Sequence, residues 1–168
     1  MKRQIDTPID DDVIRTLHAG DMVTLTGFIY TARDAAHKRM YENNENPFDF
    51  AGAAVYYAGP SPAPQGGVIG SIGPTTSGRM DKYSPEMIRR GLKIMIGKGE
   101  RNDSVVAAIK EGCGVYFAAI GGAAALLSKR VVSAEVVAYD DLGTEAVRKL
   151  YVRDFPVIVS VDSFGNTI

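Results

Sequence analysis

Cysteine is nearly absent from this chain: Cys113 is the only one among 168 residues. A single thiol excludes an internal disulfide and any cluster held by cysteines of this chain alone. It also fits a reducing compartment. No basic block stands out, and the formal net charge is −1. That balance argues against nucleic acid and against an anionic membrane surface. Long hydrophobic runs are missing as well. The longest, GVYFAAIGGAAALLS from Gly114 to Ser128, is split by a Gly-Gly pair and is shorter than the roughly 20 residues a membrane helix needs. It reads as buried core. The opening MKRQIDTPIDDD has no apolar stretch of the kind a signal peptide carries, so the expectation is a cytoplasmic chain. There is no internal repeat and no long linker. With 45% apolar and 23% charged residues, residues 1–168 read as one globular domain with a real core.

Strand and helix signals alternate along what is there. RQIDTPI reads as a strand. DDDVIRTLHAG reads as a short helix, with acidic residues at its start and Gly20 at its stop. MVTLTGFIY alternates and is β-rich, the mark of a strand. TARDAAHKRMYENN reads as a helix with Thr31 as N-cap. AAVYYAG is a strand, GPSPAPQGG a loop of turn formers, and VIGSIG a short strand. SPEMIRRGL starts a helix with Ser84 as the cap, Pro85 at its first position and Glu86 in its first turn. KIMI is a strand, DSVVAAIKEG a helix closed by Gly112, VYFAAI a strand, GGAAALLSKR a small-residue helix and VVSAEVVAY a strand. The tail KLYVRDFPVIVSVDSFGNTI holds two β-rich runs and a turn at DSFGN. Alternation through the middle, with extra strands at both ends, predicts an α/β fold with a mixed sheet and flanking helices.

Three places could carry chemistry. The loop Gly73–Arg79, GPTTSGR, offers close backbone approach at its glycines. Thr75, Thr76 and Ser77 add hydroxyls, and Arg79 adds a fork that suits a carboxylate. Together they make an anion-binding nest; the competing reading is a tight turn with Arg79 paired to Asp81. The loop is neither a Walker A loop nor GxGxxG, so a nucleotide is not its natural anion. In TARDAAHKR, Arg33 falls in the first turn of a helix, with His37 one turn later on the same face. A cation there is unfavourable unless an anion is shared with the free N–H groups. The competing reading is a surface pair, Arg33–Asp34 or Asp34–Lys38. Lys98 stands between two glycines just past a strand end, where ligands gather in open α/β sheets; an exposed turn lysine explains it too. Gly121–Ala124 could expose helix N–H groups, or serve close packing. Cys113 and His18 read as structural. The chain offers cations and donors, but no metal set, no catalytic triad and no carboxylate pair. It looks like half of a site for a small polyanion.

YTARDAAHKR, YYAGPSP, IGSIGPTTSGRMDKY, IGKGERND, GGAAALLS and VRDFPVIVSVDSFGN together resemble the β subunit, or C-terminal domain, of class I fumarate hydratases and L-tartrate dehydratases. The match runs in order from about residue 20 to the end, and GPTTSGRMD is its most specific piece. The resemblance implies a swivelling β/β/α domain. It implies an iron–sulfur-dependent hydro-lyase whose [4Fe-4S] cluster is held by cysteines of a separate α subunit; Cys113 matches no ligand. It implies Thr75 as catalytic base and Arg33, Arg79 and Lys98 as contacts to a dicarboxylate, with Thr76, Asp34 and His37 beside them. The implied reaction is the reversible hydration of fumarate to malate; dehydration of L-tartrate to oxaloacetate is the alternative within the family. A non-catalytic anion- or partner-binding module is the alternative outside it. A separate α subunit predicts an exposed apolar face, through which the isolated chain would pair with itself as a homo-oligomer.

Overall fold

The computed structural model describes residues 2–61, 65–120 and 127–168. In chain order the elements are β1 (Lys2–Asp6), α1 (Asp11–Ile14), β2 (Met22–Thr31), α2 (Asp34–Asn43) and β3 (Ala54–Tyr56). A 3-10 turn (Ser77–Met80), α3 (Ser84–Arg89), β4 (Ile94–Gly97), α4 (Asp103–Gly112) and β5 (Val115–Ala119) follow. The chain then forms β6 (Val131–Ala138), a second 3-10 segment (Asp140–Glu145) and β7 (Val147–Val161). The result is the expected mixed α/β fold.

One seven-stranded sheet runs β1-β2-β3-β4-β5-β7-β6. The first five strands are parallel neighbours. β7 is antiparallel to both β5 and β2. It therefore bridges the two sides of the parallel set and rolls the sheet into a partial barrel.

The alternation of apolar residues divides the core in two. Leu25, Ile29, Tyr56, Ile96, Phe117, Phe155, Val157 and Val159 form one cluster. Val55, Met95 and Tyr116 belong to the other, with Met40 of α2, Met87 of α3 and Ile109 of α4. One face of the parallel strands fills the barrel, and the other carries the helices. That is the layering expected of β/β/α.

Several local expectations need correction. Thr31 does not cap α2. It ends β2, buried, and its hydroxyl accepts from the Arg148 N–H at 3.2 Å. The cap position is Arg33, whose side chain makes no capping bond, and the carboxylate of Glu145 takes the N–H of Ala35 at 3.1 Å. Ser84 is the first residue of α3 rather than its cap; its hydroxyl donates to the carbonyl of Met80 at 3.0 Å. The 3-10 turn runs nearly continuously into the helix, so no extended cap residue is needed. Val68–Gly73 is not a strand. It is pinned by Ser61 N–H to Ser71 O at 3.0 Å and Ser71 N–H to Ser61 Oγ at 2.8 Å. The two tail runs are one 15-residue strand. It passes through Pro156 because Asp154, at φ 52°, forms an irregularity just before it, and irregularities are where strands tolerate proline. The helix expected over 121–130 falls largely on residues outside those described, and the Gly121–Ala124 site entirely so.

Candidate functional site

The parallel strands β2, β3 and β4 end side by side, and each delivers part of the candidate site. Arg33 follows β2, Tyr57 follows β3 and Lys98 follows β4. The loop 73–79 lies across these ends. The backbone N–H and hydroxyl of Thr75 both donate to the carbonyl of Tyr57 at 2.8 Å. Thr76 then forms a parallel bridge to Lys98. Lys98 N–H donates to Thr75 O at 3.3 Å, and Ser77 N–H donates to Lys98 O at 2.9 Å. The loop thus continues the sheet edge-on, and Thr75, Thr76 and Lys98 are held together by backbone.

Beneath the loop is a buried polar brace. The Arg101 side chain is fully buried, and its Nε donates to Asp81 Oδ1 at 2.7 Å. Its Nη2 donates to Ser84 Oγ at 2.7 Å and to Tyr57 OH at 3.3 Å. The other Asp81 oxygen accepts from Asn102 N–H at 2.9 Å. The guanidinium also lies over the rings of Tyr57 and Tyr116, at 5.2 and 4.8 Å. Burial opposes the Arg101 charge, but Tyr57 and Asp81 more than offset this and hold its pKa above the ordinary value. Tyr116 donates to the carbonyl of Gly99 at 2.8 Å, so the 2.7 Å contact with Ser77 has the serine as donor. Burial pushes the Tyr116 phenol up to about 12. Gly97 is required here: a Cβ would collide with Ser77 Oγ and come within 2.8 Å of the Tyr57 ring. No motif in the sequence points to this brace, and the alternative in which Arg79 pairs with Asp81 does not hold, because Asp81 is taken by Arg101 and Asn102.

Arg79 instead reaches Asp34, Nη2 to Oδ1 at 2.9 Å, in a half-exposed pair. Partial burial works to raise the Asp34 carboxyl, yet the Arg79 bond and the charges of Arg79 and Arg33 hold it below its usual value. The surface pairs expected for Arg33–Asp34 and Asp34–Lys38 are replaced by this one. An open cleft of about 590 Å³ lies against Asp34, Gly78, Arg79, Asp81, Lys82 and Asn102. Arg33, Thr75 and Lys98 are not on its wall.

Arg33 passes over Gly59, where a Cβ would come within 3.0 Å of its Cδ. Its Nε is buried with no hydrogen-bond partner among the described residues. Such an orphan donor is costly unless something accepts from it. His37 supports Arg33 from behind. Its backbone N–H and its Nδ1 both lie 2.9 Å from the Arg33 carbonyl, so Nδ1 carries the proton. Burial, aided by the charge of Arg101, pushes His37 down to about 4. It is a neutral, buried buttress rather than a surface acid or base. Thr76 and Lys98 are exposed.

Among the described residues no group of three or more His, Cys, Asp or Glu side chains could hold a metal ion. The one thiol, Cys113, is half-buried at the end of α4. The residues described here do not fit an iron–sulfur cluster. What they offer is two guanidiniums, an ammonium and loop hydroxyls at the carboxyl ends of parallel strands, the usual ligand edge of such a sheet. Among the described residues no helix is long and apolar enough to cross a membrane.

Comparison with known proteins bears on this arrangement. A family model described as Fumarase C-terminus matches residues 2–168. The aerobic class I fumarate hydratase of Escherichia coli (strain K12) is 41% identical over 150 residues, 86% of this chain and 27% of that protein. Fumarate hydratase 2 of Leishmania major is 42% identical over 153 residues, 88% of this chain and 27% of that protein. The putative L(+)-tartrate dehydratase subunit beta of Methanocaldococcus jannaschii is 41% identical over 165 residues, 92% of this chain and 85% of that subunit. The chain thus spans about a quarter of the length of these two fumarate hydratases.

Proposed function

The chain belongs to the Fumarase C-terminus family, and from that premise we propose that it is the β subunit of a hydro-lyase. In this reading residues 1–168 form one cytoplasmic domain that holds a dicarboxylate while an α subunit completes the site. The reaction is the reversible hydration of fumarate to malate. The observation that carries the reading is Arg33: its Nε is buried and without an acceptor among the described residues, and the residue follows β2, which ends beside β3 and β4. A substrate carboxylate supplies the missing acceptor.

The roles follow from the surroundings. Arg33, Arg79 and Lys98 bind carboxylate oxygens and offset the negative charge that develops when a proton leaves the carbon next to a carboxylate. Asp34 orients Arg79, and His37 orients Arg33 through its carbonyl. The Thr75 hydroxyl donates to Tyr57 O, which fixes where its oxygen points. A neutral hydroxyl is no base for a C–H proton, so the base role of Thr75 requires that its own proton first leave to solvent. Thr76 stands beside it at the loop rim. An iron–sulfur cluster, if the assembled enzyme carries one as the family resemblance implies, belongs to the α subunit, because the donors described in this chain do not fit it.

The relative named as a tartrate dehydratase subunit beta is covered over 85% of its length. That coverage supports a two-subunit enzyme and makes L-tartrate the second substrate to test. The deciding experiment is an anaerobic assay of fumarate loss by ultraviolet absorbance, with this chain alone and with a reconstituted α subunit. Activity in the mixture alone supports the reading. An assembled complex active on L-tartrate and inert towards fumarate replaces the substrate. No complex and no activity overturns the proposal.

A further inference from the structure

Among the described residues β6 is paired on one side only. β7 holds it from Val131 to Ala138, and it stands last in the strand order. Its side chains are mostly exposed on both faces, and Val132, Val136 and Val137 show 44%, 42% and 38% of their surface. Proteins usually guard such an edge with charge, proline or a cover. Here residues 131–138 contain no proline and one charge, Glu135.

The sequence of the strand says what could cover it. Residues 131–137 read VVSAEVV, nearly the same in both directions about Ala134. The departures from regular pairing with β7 fall at the two ends, Val131/Ser133 and Val136/Ala138. The stretch between them, Ser133–Val136, is regular and takes in Ala134. A two-fold axis between antiparallel strands passes through such a centre and makes the interface self-complementary. With the axis at Ala134, Val132 of one copy faces Val136 of the other, Val131 faces Val137, and Ser133 faces Glu135. The flanks match in charge. Lys129 and Arg130 precede the strand and Asp140 follows it, so each basic start lies along the other copy's acidic end. Opposite charges and β-branched pairs across strands are both favourable.

We propose that the free edge of β6 docks a second copy of this chain, antiparallel about Ala134. The inference stands apart from the reading of the dicarboxylate site and uses none of its residues.

Sedimentation equilibrium of the 168-residue chain, at micromolar to submillimolar concentration, tests it together with crosslinking. The chain should be a dimer. Val136→Lys should weaken self-association about tenfold or more by setting unpaired cations in the interface, with an unchanged circular dichroism spectrum. Directly opposed residues in antiparallel strands have Cα atoms about 4.5–5.5 Å apart, within disulfide reach. Ala134→Cys in a Cys113→Ala background should therefore oxidise to a covalent dimer. Ser133→Cys should crosslink to Glu135→Cys but not to itself. A monomer at all concentrations overturns the proposal. So does a dimer that ignores Val136→Lys and leaves Ala134→Cys uncrosslinked. A monomer in which Val136→Lys instead weakens α-subunit binding also overturns it, and assigns the edge to that partner.

Discussion

Two arginine–aspartate pairs flank the loop 73–79, and they are built for opposite ends. Arg101–Asp81 is buried, with further bonds from Arg101 to Ser84 and Tyr57 and from the Asn102 N–H to Asp81. Arg79–Asp34 is half exposed and rests on one short contact. A buried pair is costly to break because a charge is left without water. An exposed pair is worth little and exchanges partners readily. The first suits a fixed support and the second suits a ligand contact that must let go of Asp34 when a carboxylate arrives. The lesson is that identical chemistry takes its role from burial.

Breaking the buried side should show the largest effect. Arg101→Met strands the Asp81 carboxylate and should cost about 3–5 kcal/mol of stability, read from urea unfolding. Arg101→Met with Asp81→Leu should recover much of that loss. If the single variant is as stable as the parent, the brace is not what holds the loop. Next come the hydroxyls that join loop to sheet. Ser77→Ala or Tyr116→Phe should each cost about 1–3 kcal/mol, and the double variant should cost less than their sum. Full additivity would mean that the 2.7 Å contact is not a working bond.

Acid sharpens the comparison through His37. Its folded pKa, about 4, lies below the ordinary 6.5. Between those values the unfolded chain binds a proton that the native chain refuses. Stability is therefore full above about pH 6.5 and falls as pH drops toward 4, by up to about 1.4 kcal/mol per pH unit. Urea midpoints at pH 7 and pH 5 should show the fall, and His37→Gln should flatten it. An unchanged slope in that variant assigns the effect to other groups.

The exposed pair should give the smallest effect on stability and the clearest effect on turnover. Arg79→Lys keeps the charge but loses the fork. The unfolding midpoint should stay where it is, while kcat/KM of the assembled enzyme falls roughly a hundredfold. Asp34→Asn should also leave stability nearly intact and raise KM more than it lowers kcat. Normal turnover in the lysine variant would return Arg79 to the role of a surface ion pair.

Much of the fold was legible because periodicity is local. α4 keeps the bounds its sequence predicts, Asp103–Gly112, with Gly112 as the closing signal; the Asn102 cap shows only in the structure. β4 and β5 were clear from short apolar runs. VIGSIG misled because an apolar run says nothing about whether a sheet edge is available to it. The tail misled because Pro156 usually ends a strand, and the Asp154 irregularity that admits it is not written in residue type. The loop could be picked out from its glycines and hydroxyls. Its support could not, because Asp81, Arg101 and Tyr116 meet only after three strands have been laid side by side. The one trace was Arg101 in GKGERND, two residues after the second of the glycines that flank Lys98.

β7 has a consequence for how the chain is made. Its pairing with β2 joins residues more than a hundred positions apart, Met22 to Ile158 and Thr31 to Arg148. Contacts that distant slow folding, since a long loop must close before they repay its entropy. A ribosome releases β2 through β5 well before the strand that joins them. During that interval the edges of β2 and β5 that β7 will occupy stand open, and the barrel interior is exposed to other chains. The period of greatest risk in the life of this molecule therefore precedes the synthesis of residues 147–161, and mutations that delay β7 should lower yield in the cell more than they lower the stability of the finished fold.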